Sequence, residues 1–328
     1  MFGLPNLHQI KLHPVNRTAF GRPRSILATA AALAAALLAT GCSAAPGAGD
    51  APADGAGYTV EHAMGETALV DVPERIVVLD SPHLDALVAL GITPVGAPEI
   101  GEGRGFPAYL ADELDETAPV GYIAEPDVDA IVNLEPDLIL GSKVRHEALY
   151  EELSAIAPTV FSEDTGTNWH EQADLTAAAV DRSDEMAELI ADLDARVAEV
   201  GEQVGARGRT ASIVRFREDN FRLYGPGTFS GSLLSAMGFD LGERDWNEWS
   251  MMELSPELYE QIDGDVVFYM SPGGDPTATT QQRVADLWSA LPAVASGDAH
   301  EVEDDTWMVG IGVLGGNLVV DQVEDLLS

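Results

Sequence analysis

Arginines and tryptophans carry the chemistry that this sequence offers. Arg104 and Arg145 fall in loops expected at the carboxyl ends of strands in the first half, and Arg215 and Arg217 close the first strand expected in the second half. Residues two apart share one face of a strand, so Arg215 and Arg217 are expected to point together into a cleft. Trp246, Trp249 and Trp307 fall in loops of the second half, where aromatic rings give apolar walls to a bulky ligand. For each arginine an ion pair on an acidic surface is an equal alternative. For each tryptophan the alternative is core packing.

Signatures of catalysis are missing. The sequence has no HExxH, no Walker loop, no Cys-x-x-Cys and no G-x-S-x-G, and Gly227-Thr-Phe-Ser230-Gly231 has the wrong spacing for a nucleophile elbow. Gly310-Ile-Gly312-Val-Leu-Gly315 matches G-x-G-x-x-G but lies too near the C-terminus for a dinucleotide-binding unit to follow, and reads as a flexible turn before the last helix. No enzyme is expected, and a secreted cell-wall enzyme is the distant alternative. His83 and His146 follow expected strands and are candidate ligands for a bare transition-metal ion; as polar residues in the first turns of helices they need no such role.

These residues must be positioned by a scaffold, and its centre is the run Ser183 to Ala206. Met186, Leu189, Ile190, Leu193, Val197, Val200 and Val204 recur at steps of three and four, the period of one helical face. Ser183 suits the N-cap, Asp184 and Glu185 the positive end of the dipole, and Gly205 or Gly208 the terminus. Such a helix of roughly 23 residues is about 35 Å long, enough to span two lobes.

On either side, short apolar strands alternate with helical patterns. Strands are expected at Ile76 to Asp80, Thr93 to Gly96, Thr159 to Phe161, Ala211 to Phe216, Phe221 to Tyr224, Asp265 to Tyr269 and His300 to Val302. Helices are expected after Ser81, over about Phe106 to Leu114, about His146 to Ile156, and near Leu314 to Leu327. The alternation predicts an α/β fold with two Rossmann-like lobes, residues 58–182 and 207–328, joined by the single long helix 183–206 with a ligand cleft between them. The two halves repeat a unit: Asp129 to Leu140 aligns without a gap on Glu257 to Phe268, placing Asp129 beside Glu257 and Asp137 beside Asp265. Each lobe would then present one carboxylate near a helix start, a position that carboxylates favour on any helix.

The 328 residues suffice for two domains. Lys11, Arg17, Arg22 and Arg24 precede the Ala/Leu-rich run Ile26 to Ala39, too short to span a bilayer comfortably, and mark residues 1–41 as an export signal. Cys42 is the only cysteine, so no disulfide can form within the chain. Residues 42–57 form a Gly/Pro/Ala linker. With 17 basic and 55 acidic residues the net charge is -38, which opposes nucleic-acid binding and anionic membrane surfaces.

The segments PERIVVLDSPHLDALVALGITPVG, EPDVDAIVNLEPDLILGS, RLYGPGTFSGSLL and LWSALPAVASGDAHEVEDDTWMVG resemble the substrate-binding lipoproteins of iron-siderophore ABC importers, whose relatives bind ferric hydroxamates, cobalamin or haem. The resemblance covers nearly all of the chain after the signal. It implies a monomeric receptor with two α/β lobes on one rigid helix, held at the outer face of the cytoplasmic membrane by lipidated Cys42, and closing only slightly around its cargo. It further implies that Asp129 and Glu257 engage an importer permease, Asp129 being one methylene shorter than the family's usual Glu. Trp249 and Trp307 fall where relatives place aromatic rings, and Arg145 falls in a loop that carries a ligand-contacting tyrosine. Ile123 stands where some hydroxamate receptors have an arginine, a role that Arg104, Arg145 or Arg217 would take over. Iron in such a chelate has its coordination sites filled, so the protein needs no metal ligands or cofactor of its own. Ferric iron enters only as part of the chelate, whose hydroxamate or catecholate oxygens accept hydrogen bonds from arginine. Haem, cobalamin or a bare metal ion is the alternative cargo.

Overall fold

Two large sheets and a two-stranded hairpin form from the alternating apolar runs. The computed structural model describes residues 57–328; the expected signal, Cys42 and nearly all of the linker lie outside them. A hairpin of β1 (Tyr58–His62) and β2 (Gly65–Leu69) precedes the first large sheet. That sheet comprises β3 (Ile76–Val78), β4 (Gly96–Glu99), β5 (Ala118–Tyr122), β6 (Glu125–Pro126), β7 (Leu138–Ser142) and β8 (Thr159–Ser162), ordered β6-β5-β4-β3-β7-β8, with only β6 antiparallel. The second comprises β9 (Ala211–Phe216), β10 (Phe221–Tyr224), β11 (Met251–Leu254), β12 (Val266–Met270) and β13 (Ala299–Glu301), ordered β11-β10-β9-β12-β13. Here β9, β12 and β13 are parallel, and β10 is antiparallel to both neighbours. Strands β3 and β7 are buried throughout, as parallel strands covered on both faces must be.

The helices are α1 (Ser81–Ala89), α2 (Val128–Asn133), α3 (Lys143–His146), α4 (Tyr150–Ser154), α5 (Trp169–Ala179), α6 (Ser183–Gln203), α7 (Phe229–Met237), α8 (Gln281–Ala285), α9 (Pro292–Ser296) and α10 (Val313–Leu327). The long helix expected between the sheets is α6, with 21 residues. It ends as expected: Val204 is the cap and Gly205 takes φ +63°. Its start differs, for Ser183 is already helical and Arg182 precedes it, pairing with Glu185. Met186, Leu193, Val197 and Val200 are buried against α5, α7 and α10. Gly201 lets α6 press onto α7, since a Cβ there would lie 2.1 Å from the Met237 carbonyl oxygen. One continuous buried cluster runs from α1 and α5 through α6 to α7 and α10. The long helix is therefore the spine of a shared core.

A second tie joins the halves. Asp85 of α1 is fully buried, and its carboxylate accepts the N–H groups of Leu314 (3.0 Å) and Gly315 (2.8 Å) at the start of α10 and the Tyr109 hydroxyl (2.9 Å). Burial pushes the Asp85 carboxyl up, and the donors around it pull the other way. Gly312, at φ +154°, makes room: a Cβ would lie 2.2 Å from Asp85 Oδ1. The G-x-G-x-x-G match thus serves close packing of this buried carboxylate against α10.

Three local expectations need correction. The strand expected at Thr93 to Gly96 begins only at Gly96 and runs to Glu99, for Pro94 has no N–H to give a ladder. Phe106 to Leu114 holds only a single 3-10 turn, Ala108–Leu110, entered from Pro107 and followed by turns. The helix expected over His146 to Ile156 breaks into α3, a 3-10 turn at Glu147–Leu149, and α4. Among the described residues no helix is long and apolar enough to cross a membrane.

Candidate ligand-binding site

In open parallel sheets ligands gather where the strand order reverses. In the first sheet that point lies between β3 and β7, and the residues just past these strands are Asp80 and Arg145. Asp80 caps α1, with Oδ1 accepting the Ser81 N–H at 3.0 Å and Oδ2 accepting the Ser142 hydroxyl at 2.6 Å. Arg145 Nε lies 3.2 Å from Asp80 Oδ2; the carboxylate is 1% exposed and the guanidinium 40%. A buried, doubly hydrogen-bonded carboxylate thereby anchors an arginine whose outer face is open.

The second sheet contributes through strand register. Arg222 of β10 stands opposite Arg215 of β9 on one side and Glu253 of β11 on the other. The next row on the same face is Tyr224 and Met251. The opposite face, with Val214, Phe216, Phe221, Leu223 and Leu254, packs into its own apolar cluster. Directly opposed like charges destabilise a strand pair, and each arginine here has an acid beside it. Asp304 takes Arg215 in a two-pronged clasp, Oδ1 accepting from Nε at 2.5 Å and Oδ2 from Nη2 at 2.8 Å. Glu253 accepts from Nε and Nη2 of Arg222 at 3.0 and 2.9 Å. Burial works against the Arg215 charge, but Asp304 and Tyr224 outweigh it and hold the guanidinium above its ordinary value.

Both faces meet in a cavity of about 390 Å³. Arg145, Arg215 and Arg222 line it together with Tyr224, Trp249, Met251, Phe229, Trp307, Met308 and the loop Thr165 to Thr167. Thr165, which lines the cavity, has an Oγ1 that is shielded from solvent and lacks a hydrogen-bond partner among the described residues. Trp249 is half-buried on a loop fixed by Asn247, whose Oδ1 accepts the N–H groups of Trp249 (3.0 Å) and Met251 (2.9 Å). Ser250, at φ +55°, turns the chain there, its hydroxyl accepting the Gly227 N–H at 2.9 Å.

Of the residues expected at the site, Arg145, Arg215, Trp249 and Trp307 come together here. Arg104 does not: it lines a separate groove of about 1050 Å³ with Tyr109, Ser271, Asp305 and Gln322, and pairs with Asp305 at 3.1 Å. Arg217 is also elsewhere. Strand β9 ends at Phe216 and the chain reverses, the Arg217 N–H donating to Asn220, so the two-residue alternation stops one residue short. Trp307 lines the cavity yet is only 1% exposed; its Nε1–H donates to Gln322 and its ring packs 4.8 Å from Phe268. It is chiefly a core residue. Trp246 packs against the second apolar cluster. Arg222 escaped sequence reasoning because strand register decides its place, and the clasping acids escaped because acids are scattered throughout the chain.

The histidines do not converge on a cleft. His83 is fully buried, with Nε2 donating to the Gly141 carbonyl (2.9 Å) and Nδ1 bonded to Thr176 Oγ1 (2.7 Å). His146 Nδ1 accepts the Ser142 N–H (3.2 Å) and Nε2 meets the Ile123 carbonyl (3.1 Å). All four ring nitrogens are engaged, and the described residues hold no cluster of three metal-ligating side chains. Asp129, in the first turn of α2, and Glu257, in the first turn of the helical segment Pro256–Gln261, are both exposed.

Comparison with known proteins agrees with this architecture. Residues 76–305 match the model of the periplasmic binding protein family. The chain is 38% identical over 280 residues to a probable siderophore-binding lipoprotein, YfiY, of Bacillus subtilis, covering 81% of this chain and 86% of that one. It is 30% identical over 273 residues to the achromobactin-binding periplasmic protein of Dickeya dadantii, covering 79% and 89%. The structure of Staphylococcus aureus SirA complexed with staphyloferrin B superposes with a TM-score of 0.72 at 28% identity, covering 82% of this chain and 98% of that one. The chain belongs to the periplasmic binding protein family, whose members bind substrates without transforming them.

Proposed function

We propose that the protein is an extracytoplasmic receptor that captures a ferric siderophore, of hydroxamate type, and delivers it to an ABC importer permease. The observation that carries this is the cavity where Arg145, in α3 just past one sheet, meets Arg215 and Arg222 of the other beside Trp249. Guanidinium N–H groups suit the metal-bound oxygens of a chelate, and the aromatic and methionine walls suit its apolar linkers. The chelate saturates the iron, so no protein group needs to ligate it. Relatives named for siderophores support the same reading.

Delivery is assigned to Asp129 and Glu257, exposed carboxylates following the carboxyl ends of strands in the two sheets. Attachment is assigned to a lipid on Cys42, with residues 43–57 as tether, and the receptor acts as a monomer. The testing experiment is quenching of tryptophan fluorescence on titration with ferric hydroxamates, ferric catecholates, haem and cobalamin. Saturable binding of a ferric hydroxamate is expected; binding of haem or cobalamin alone would overturn the assignment.

A further inference from the structure

Resting on the ferric-chelate function proposed above, we infer that Asp80, Asp304 and Glu253 are specificity determinants that cancel the charge of the three cavity arginines and so select a chelate of zero or near-zero net charge. Each arginine lining the cavity has its own acid: Arg145 has Asp80, Arg215 has Asp304, and Arg222 has Glu253. Among the described residues, the cavity wall therefore holds three cations, each paired with an anion that lies beside the wall and does not line it; Asp304 lines the groove that holds Arg104. The Asp80 and Asp304 side chains are each 1% exposed. Asp80 is further held by Ser142 and the Ser81 N–H, and Asp304 by its two-pronged clasp. Neither can swing away when a guest arrives.

The clasps leave hydrogen-bonding capacity without net charge. A guanidinium has five N–H groups, and in every pair the acid engages Nε, with Nη2 as well for Arg215 and Arg222. Tyr224 also leans on the Arg215 guanidinium, and the N–H groups of Arg145 and Arg222 that their acids do not take remain to donate. Such a wall can grip the polarised oxygens of a neutral chelate while offering no excess positive potential to a polyanion. A polyanion would also meet the field of two fixed carboxylates behind that wall, inside a protein whose net charge is -38. Coordination chemistry then sorts the cargo. Three hydroxamates cancel the ferric charge, whereas three catecholates or two citrates leave several negative charges.

The experiment is a fluorescence titration of the purified receptor with a neutral ferric trihydroxamate, ferric dicitrate and a ferric tris-catecholate, at low and high salt. It is repeated for Glu253→Gln and for Glu188→Gln, a control on the α6 surface. Glu253 is 54% exposed, so its replacement spares the fold. The neutral chelate is expected to bind at least about tenfold more tightly than either anion, with little salt dependence. Glu253→Gln, which leaves Arg222 uncompensated, is expected to narrow that gap by about threefold to tenfold, and Glu188→Gln to leave it unchanged. Tighter binding of an anionic chelate, or an unchanged gap in Glu253→Gln, overturns the charge inference and leaves the ferric-chelate function standing. Failure of all three chelates to bind overturns both.

Discussion

Arg215 and Arg222 stand directly opposite each other on β9 and β10, two positive charges on one face of a strand pair. Their acids differ in burial: Asp304 is 1% exposed and Glu253 54%. Arg222→Ala therefore removes a repulsion and strands only a solvated acid, and the melting temperature should hold or rise. Chelate affinity should nevertheless fall by about tenfold to a hundredfold, the worth of a charged hydrogen bond. Arg215→Ala leaves a buried charge without its partner and should cost about 3–5 kcal/mol of stability. Titration and thermal unfolding of both variants check this; parallel losses of stability would show that the two arginines share one structural role.

The two cavity tryptophans should separate in the same way. Trp307 is enclosed, so Trp307→Ala should destabilise by about 3–5 kcal/mol whatever it does to binding. Trp249 is half-buried on a loop, and Trp249→Ala should weaken chelate binding and abolish much of the fluorescence quenching with little change in unfolding. Unchanged chelate affinity in Trp249→Ala would place the guest elsewhere.

Asp129→Arg combined with Glu257→Arg should leave chelate affinity unchanged and abolish uptake, because both side chains are exposed and outside the cavity. Uptake assays in cells carrying the double variant decide it, and normal transport would remove both carboxylates from the docking role.

Acidification should destabilise the fold through His83. Burial holds its ring below 6.5, against the opposing pull of Asp80 and the Gly141 carbonyl. The unfolded chain takes up a proton near 6.5 that the folded chain refuses. This contribution is complete above that value and is lost as the pH falls from 6.5 toward the folded-state value. Denaturant unfolding at neutral pH and at successively lower pH should show His83→Asn, already less stable, losing stability less steeply than the parent. His146, also lowered chiefly by burial, should keep part of the slope. Equal slopes would mean that His83 does not titrate differently on folding.

Gly201→Ala tests how closely α6 and α7 approach. Alanine favours a helix by about 1 kcal/mol over glycine, yet its methyl would meet the Met237 carbonyl at 2.1 Å. The backbone must move, and a net loss of about 1–3 kcal/mol is expected. A stabilised variant would show that the two helices can separate freely.

Much of this fold was legible because the repeat in the sequence is a repeat in hydrogen bonding. Asp137 and Asp265, aligned on spacing alone, each precede a central strand and each clasp the neighbouring parallel strand. Asp137 Oδ1 accepts the Arg75 N–H at 2.8 Å and its own N–H donates to the Arg75 carbonyl at 2.9 Å. Asp265 Oδ2 accepts the Thr210 N–H at 2.8 Å, and its N–H donates to the Thr210 carbonyl at 2.9 Å. Local patterns of this kind survive in one dimension. The meeting of Arg145 with Arg215 and Arg222 depends on strand order and register across more than one sheet, which apolar periodicity does not encode. Arg217 shows the limit at close range, since a strand ending one residue early turned it out of the cavity.

Asp85 carries a consequence for how the chain matures. Its carboxylate sits in α1, and two of the three groups that satisfy it belong to the 15-residue helix α10. Until α10 docks, the Tyr109 hydroxyl is the one partner of the three that Asp85 can reach within its own half. A chain truncated before α10 should stay sensitive to proteases, and one that includes α10 should become resistant in one step.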